Sequence, residues 1–143
     1  MLAGQLALTV AALFTGAAVY ISVAEHPARL LLDDRAALAE WHPAYERGAR
    51  MQASLAMIGF LLGVLAWQRA DDWRWLIGGV LLAANWPYTL LCVVPVNRML
   101  SAIDPAKGGP ESRVLLRQWG KLHAGRTLLG CGAALVMLWA SLS

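Results

Sequence analysis

The sequence carries few charged residues for its length. Only 15% of its 143 residues are Asp, Glu, Lys or Arg, whereas 59% are hydrophobic. A soluble domain usually has about 25% charged and about 45–50% apolar residues. The composition therefore excludes an ordinary soluble domain, and the length predicts a single domain that covers residues 1–143.

The sequence motifs of several enzyme classes are also missing. The chain has no CxxC pair for thiol redox chemistry, no glycine-rich phosphate loop and no GxSxG nucleophile elbow. Its two cysteines lie inside apolar runs, and their spacing indicates no disulfide. The three histidines come from different segments and lack the spacing of a metal motif. No metal site is predicted, although a metal-dependent redox protein stays open as an alternative.

Long uncharged runs make up much of the chain. At 1.5 Å per residue, about 20 helical residues cross a hydrocarbon core of about 30 Å. The runs predict four transmembrane helices, at about residues 2–24, 51–68, 75–96 and 112–142. The first run lacks a basic start and is longer than the core of a signal peptide, so we expect it to be retained. Asn85 and Pro87 lie near the middle of the third helix, where the proline predicts a kink.

The connection between the first two predicted helices has a helical pattern of its own. Over residues 28–41 the apolar residues, including Leu38 and Trp41, fall on one side of a helix. Such a segment would lie in the membrane interface or over one mouth of the bundle. The predicted fold class is therefore all-α, a bundle of four transmembrane helices with short interfacial helical segments in the cytoplasmic loops.

The basic residues are concentrated in two segments of the chain. Of the twelve basic residues, four lie between the first and second uncharged runs and six between the third run and the last, which begins at Thr127. Both connections lie on one side of the membrane, and by the positive-inside rule that side is cytoplasmic. We expect an integral membrane protein, in a bacterial inner membrane, with both termini outside and the long loops in the cytoplasm. Topology thus explains the net charge of +3, and no nucleic-acid partner is expected.

Polar side chains recur where the predicted helices end on the basic side. His26 follows the first uncharged run, Arg47 precedes the second, Asn97 follows the third, and His123 and Arg126 come just before the last. A bundle brings these ends together around one opening. His123 and Arg126 are three residues apart and share a helix face, which favours a joint role. A second polar group, Asn85, lies at mid-membrane beside Trp86 and predicts either a helix contact or a ligand contact.

Four short motifs, each at a predicted helix end, resemble one known family. They are EHPAR, WHPAYERGARMQ, PVNRML and WGKLHAGR. In this order they resemble the anthrone oxygenase-like family of small four-helix membrane proteins, much of which is a domain of unknown function. The resemblance implies that the chain oxidises an anthrone to an anthraquinone with molecular oxygen and without an evident cofactor. The family's recurring residues match these positions: His26, Arg29, Trp41, Tyr45, Arg47, Asn97, Trp119, His123 and Arg126.

Two functions of different classes follow from these features. In the first, His26 or His123 removes a proton from an aromatic substrate dissolved in the membrane. Arg126 or Arg47, together with Asn97, then stabilises the enolate oxygen. In the second, the same polar groups orient a lipid, a quinone or another hydrophobic ligand without chemistry. The expected substrate-binding residues are Arg29, Trp41, Tyr45, Arg47, Asn85, Trp86 and Trp119. The expected partners are membrane lipids and a small hydrophobic molecule, and a homo-oligomer stays open.

Overall fold

The computed structural model describes residues 2–142, so the two terminal residues of the predicted domain lie outside the described part. All regular structure in that part is helical. Its four long helices are α1 (Leu2–Arg29), α2 (Asp34–Ala70), α3 (Trp73–Ser101) and α4 (Pro110–Ser141), and a short 3₁₀ turn covers Pro105–Lys107. Each long helix is long and apolar enough to cross a membrane. The predicted membrane-spanning helical bundle is confirmed.

The helices form an up-and-down bundle in chain order. α1 packs against α2 and α4, and α3 packs against the same two neighbours. Short connections make sequential helices antiparallel. The α1–α2 connection (residues 30–33) and the α3–α4 connection (residues 102–109) therefore lie at the same end, which we call the basic end.

The second helix is longer than the sequence indicated. It begins at Asp34 instead of near residue 51, so the predicted short interfacial helix is the first part of α2. The Asp33 carboxylate accepts hydrogen bonds from two backbone N–H groups and caps this start. Trp41 faces the core while Arg47 and Arg50 are exposed, which is why the segment is too polar for a transmembrane prediction. At 1.5 Å per residue its 37 residues are about 55 Å long, far more than the hydrocarbon core needs.

Two π-helical turns interrupt α1 and α3. They cover Ile21–Glu25 and Thr89–Val93, and each ends immediately before an X–Pro pair, His26–Pro27 in α1 and Val94–Pro95 in α3. A proline has no N–H to continue the α-helical pattern, so the preceding residues adopt a wider turn. α3 is also broken at Ala84, which agrees with the interruption predicted from Pro87.

Two apolar clusters stabilise the bundle at different heights. One includes Phe14, Leu82 and Met137, and the other, nearer the basic end, includes Trp41 and Leu116. In the first cluster small residues allow close helix contact: a Cβ atom on Gly63 would lie 2.9 Å from the Trp75 carbonyl oxygen. The polar residues of the predicted site lie between and beside these clusters.

Candidate functional site

A small internal cavity near the basic end receives side chains from all four helices. Its volume is about 30 Å³. Since one water needs about 10–15 Å³ by this kind of measure, the cavity has room for a guest the size of dioxygen or two waters. Both π-helical turns line it, through Glu25 of α1 and Thr89 of α3. The remaining polar lining is Arg29, Tyr45, Gln52, Asn97, Trp119, His123 and Arg126.

A chain of hydrogen bonds fixes which nitrogen of His123 carries the proton. Ser22 Oγ lies 3.1 Å from His123 Nδ1 and 2.9 Å from Thr127 Oγ1. Thr127 Oγ1 donates to backbone carbonyls, which can only accept. Thr127 therefore accepts from Ser22, and Ser22 accepts from an Nδ1–H of neutral His123. The Nε2 atom of His123 is left with its lone pair, is buried and has no partner in the described residues.

His26 has the opposite arrangement. Its Nδ1 lies 2.8 Å from Arg29 Nη1, which can only donate, so neutral His26 carries its proton on Nε2. Arg29 is itself held by the carboxylates of Glu25, at 2.6 Å, and Glu40. The sequence predicted that either His26 or His123 acts as the base. Their neighbours make His123 the proton acceptor and His26 a donor.

Trp119 lies at the centre of the aromatic part of the site. Its ring centroid is 5.1 Å from that of His26 and 5.1 Å from that of His123. Its Nε1–H donates to Asn97 Oδ1 at 2.9 Å, which leaves the amide hydrogens of Asn97 available as donors. Trp41 meets it edge-on and stacks on Tyr45 with ring centroids 4.2 Å apart. The structure therefore brings these predicted residues together in one layer.

Arg126 is a buried cation without a counter-ion. Its side chain is 7% exposed, and its Nε has no hydrogen-bond partner in the described residues. None of the ion pairs between described residues includes it. A buried charge normally has a partner, because leaving water costs several kcal/mol. The arrangement suits an anionic or strongly polar ligand atom beside Arg126.

A second, larger cavity extends from Arg126 along α2 and α3 towards the outer face of the bundle. Its volume is about 180 Å³, and it is lined mostly by apolar atoms. Asn85 and Trp86 both line it, as does Gln52. Asn85 Nδ2 donates to the Leu82 carbonyl at 3.2 Å, so this side chain both stabilises the break in α3 and reaches the cavity.

Arg47 does not join the other predicted residues. It is exposed on the outer face of α2 and lines a separate groove against α1 instead of either cavity. In the described residues no group of three or more His, Cys, Asp or Glu side chains is placed to hold a metal ion.

Sequence reasoning missed several residues of the site. Gln52 is 1% exposed and lines both cavities, and an amide within an apolar run could have indicated it. Ser22 and Thr127 gave no such signal, because single hydroxyls are common in membrane helices. Gly120 was also missed: its missing side chain makes room for the His26 ring, which would lie 2.5 Å from a Cβ atom there.

Comparisons with known proteins give one result. The model of the anthrone oxygenase family matches residues 41–136, which include Trp41, Asn97, Trp119, His123 and Arg126. No match was found among curated proteins or among solved structures. The match covers about two thirds of the chain, and it contains most of the side chains that line the small cavity. The chain belongs to the anthrone oxygenase family.

Proposed function

We propose that the protein is a membrane-embedded oxygenase that oxidises a small, hydrophobic, anthrone-type aromatic with molecular oxygen. One observation carries the proposal: His123 and Arg126 line the same cavity, three residues apart on α4, and the Nε2 of His123 and the Nε of Arg126 have no partner in the described residues. A basic nitrogen and a cation suit the removal of a proton from a benzylic carbon that is conjugated with a carbonyl group. Family membership supports the same type of reaction.

The reaction begins with proton transfer. His123 Nε2 takes one proton from the methylene carbon of the substrate, and the electron pair of that C–H bond forms an enolate. Arg126 and the amide hydrogens of Asn97 stabilise the enolate oxygen. Donors already in position cost no reorganisation when this charge develops. His123 is the base because its Nε2 lone pair is free, whereas the Nε2 of His26 carries a proton.

Oxygen then reacts with the enolate directly. The enolate gives one electron to dioxygen, and the resulting carbon radical and superoxide combine to a peroxide that accepts the proton from His123. Loss of the second methylene proton breaks the O–O bond, releases water and leaves a new carbonyl. The substrate loses two hydrogens and gains one oxygen atom, and the second oxygen atom leaves as water. The substrate supplies the electrons, so the proposed reaction is independent of a cofactor.

The remaining site residues have supporting roles. Tyr45 and Trp119 form the aromatic lining of the small cavity, and Trp41 lies behind them, stacked on Tyr45 and edge-on to Trp119. Arg29 holds His26 and is neutralised by two carboxylates, so it positions a side chain and does not bind an anion. Arg47 has no role in the reaction, because it lies outside both cavities.

The test is oxygen uptake by the purified protein with an anthrone. We expect His123→Ala to reduce turnover by at least about a hundredfold, the usual contribution of a general base. His42→Ala is the matched control, since His42 lines neither cavity, and it should retain activity. Full turnover in His123→Ala would overturn the proposal.

A binding protein without chemistry is the second candidate, and the larger cavity favours it. An apolar chamber open towards the outer face of the bundle would suit a quinone or lipid equally well. In that case a ligand identified by mass spectrometry would bind to the protein and stay chemically unchanged under oxygen.

A further inference from the structure

The cavity between α2 and α3 has features of a binding site in its own right. Ala49, Ala53 and Ala56 of α2 provide an apolar floor, and Trp86 provides an aromatic wall. The Trp86 ring is held by a hydrogen bond from Nε1 to the Ala53 carbonyl at 3.3 Å. Cavities of about 150 Å³ lined by apolar groups bind benzene, so about 180 Å³ accepts one substituted ring.

Four residues that line this cavity each carry a buried polar atom with no partner in the described residues. The atoms are Arg126 Nε, Gln52 Nε2, Asn85 Oδ1 and Thr89 Oγ1. Arg126, Gln52 and Asn85 are each more than nine-tenths buried. A buried donor or acceptor without a partner costs about 1–3 kcal/mol. Four of them around one cavity indicate a place for a ligand that supplies their partners.

These unpartnered atoms also indicate which chemical groups the ligand should carry. Arg126 Nε and Gln52 Nε2 are donors, and they call for a carbonyl or enolate oxygen. The Asn85 amide is oriented by its two bonds from Nδ2 to backbone carbonyls, so its free oxygen can only accept. An acceptor in this position calls for a hydroxyl group on the same ligand.

The open side of the cavity faces the surroundings of the bundle. Trp86 is 42% exposed and Leu90 is 62% exposed, and both lie at its rim on α3. In a membrane-spanning bundle such apolar side chains face lipid. A ligand therefore reaches the cavity sideways from the bilayer, and rings that do not fit stay among the acyl chains.

We propose that this cavity binds one ring of a membrane-dissolved hydroxyaryl ketone, with its carbonyl oxygen at Arg126 and Gln52 and its hydroxyl at Asn85. Arg126, Gln52 and Thr89 line both cavities, so a ligand bound here lies next to the small cavity that His123 lines. The choice of ring system rests on the proposed oxygenase function. The recognition of a hydroxyl and of an aromatic ring rests on the cavity alone.

The experiment uses 2-hydroxyanthraquinone and anthraquinone as probes of the protein in lipid nanodiscs. Neither quinone has a methylene hydrogen to lose, so binding is measured whether or not the protein is an oxygenase. Quenching of tryptophan fluorescence, corrected with empty nanodiscs, gives the affinities. We expect the hydroxylated probe to bind about three- to tenfold more tightly, the value of one hydrogen bond.

Four variants locate the site. In Asn85→Leu the preference for the hydroxylated probe should disappear. In Gln52→Leu both probes should bind more weakly, and this variant tests the same cavity if Asn85→Leu does not fold. Ala53→Phe should fill the cavity and abolish both affinities. Ala12→Phe, on the exposed face of α1, is the matched control and should bind as the parent does.

The outcomes test the cavity assignment and the oxygenase function separately. Equal affinity for the two quinones, undiminished binding in Ala53→Phe, or displacement of the probes by palmitate alone would overturn the assignment of this cavity. Binding with the expected variant pattern, but without oxygen uptake on an anthrone, would uphold the cavity and remove the oxygenase.

Discussion

His123 and His26 differ in the group that faces each Nδ1. A hydroxyl chain that ends on backbone carbonyls accepts the Nδ1 proton of His123, whereas a guanidinium donates to Nδ1 of His26. The centroids of both rings lie 5.1 Å from that of Trp119, yet only one of the rings can take a proton at Nε2. Side chains distant from the substrate therefore decide the chemical role of each histidine.

We predict that nitrogen chemical shifts will show protonation of Nδ1 in neutral His123 and of Nε2 in neutral His26. Ser22→Ala removes the acceptor for the His123 Nδ1 proton, so turnover should fall about five- to tenfold, the worth of one buried hydrogen bond. The shifts of His26 should not change in this variant. An Nε2–H form of His123 in the parent protein would contradict the assignment.

Arg126 provides a second prediction at this scale. Lysine keeps the positive charge but lacks the planar fork that binds an oxygen atom with two donors. Arg126→Lys should fold normally and lose at least about tenfold in turnover or ligand affinity, about 1.4 kcal/mol. Arg47→Lys is the control, because Arg47 is exposed and outside the cavities, and it should behave as the parent.

The unpaired charge of Arg126 also has a thermodynamic consequence. Arg126→Met replaces a buried, uncompensated cation by an apolar side chain of similar length. We expect the variant to be more stable in thermal unfolding, by at least about 1 kcal/mol, although it should be inactive. A lower melting temperature would mean that the guanidinium stabilises the bundle through the Phe14 ring, whose centroid is 6.0 Å from Arg126 Cζ, or through lipid or water.

At the scale of the helices, the close approach of α1 and α4 depends on glycine. A Cβ atom at Gly120 would lie 2.5 Å from the His26 ring, whereas Gly16 has nothing within 4 Å of a Cβ atom. Gly120→Ala should lower the free energy of unfolding by about 1–3 kcal/mol and displace His26. Gly16→Ala should be neutral or slightly stabilising, since alanine favours helices by up to about 1 kcal/mol. Thermal unfolding in detergent compares them, and equal losses would contradict this packing.

The helices themselves could be predicted from the sequence, but not all of their ends. Uncharged runs identified the membrane-crossing parts because lipid excludes charge. The start of α2 was missed because Arg47 and Arg50, exposed beyond the apolar core, interrupt the hydrophobic pattern without interrupting the helix. The helix ends predicted that His26, Asn97, His123 and Arg126 lie in one region, and the structure brings them together around Trp119 and the small cavity, while their roles stay predictions. Arg47 lies outside both cavities, because charge and position along the chain do not reveal the face of a helix.

At the scale of the whole molecule, the distribution of basic residues sets the orientation we propose. Ten of the twelve lie between residues 29 and 126 in the two segments that meet at the basic end, and only Arg69 and Arg74 lie near the other end. The positive-inside rule then places the basic end in the cytoplasm. A reporter fused after Ser143 should be active only outside the cytoplasm, and one inserted at Gly109 only within it. The reverse pattern would refute this orientation.

The π-helical turn at Ile21–Glu25 has a consequence for the way the family can vary. Such a turn accommodates one residue more than an α-helix of the same rise. Deletion of a single residue here would remove the extra residue and restore regular α-helical winding, so His26 and Arg29 would keep their places beside Trp119. The same deletion within a regular α-helix would rotate everything beyond it by about 100°, since an α-helix has 3.6 residues per turn. A gap of one residue before the His–Pro pair would therefore mark a relative that lost the π-helical turn but kept the arrangement of the site.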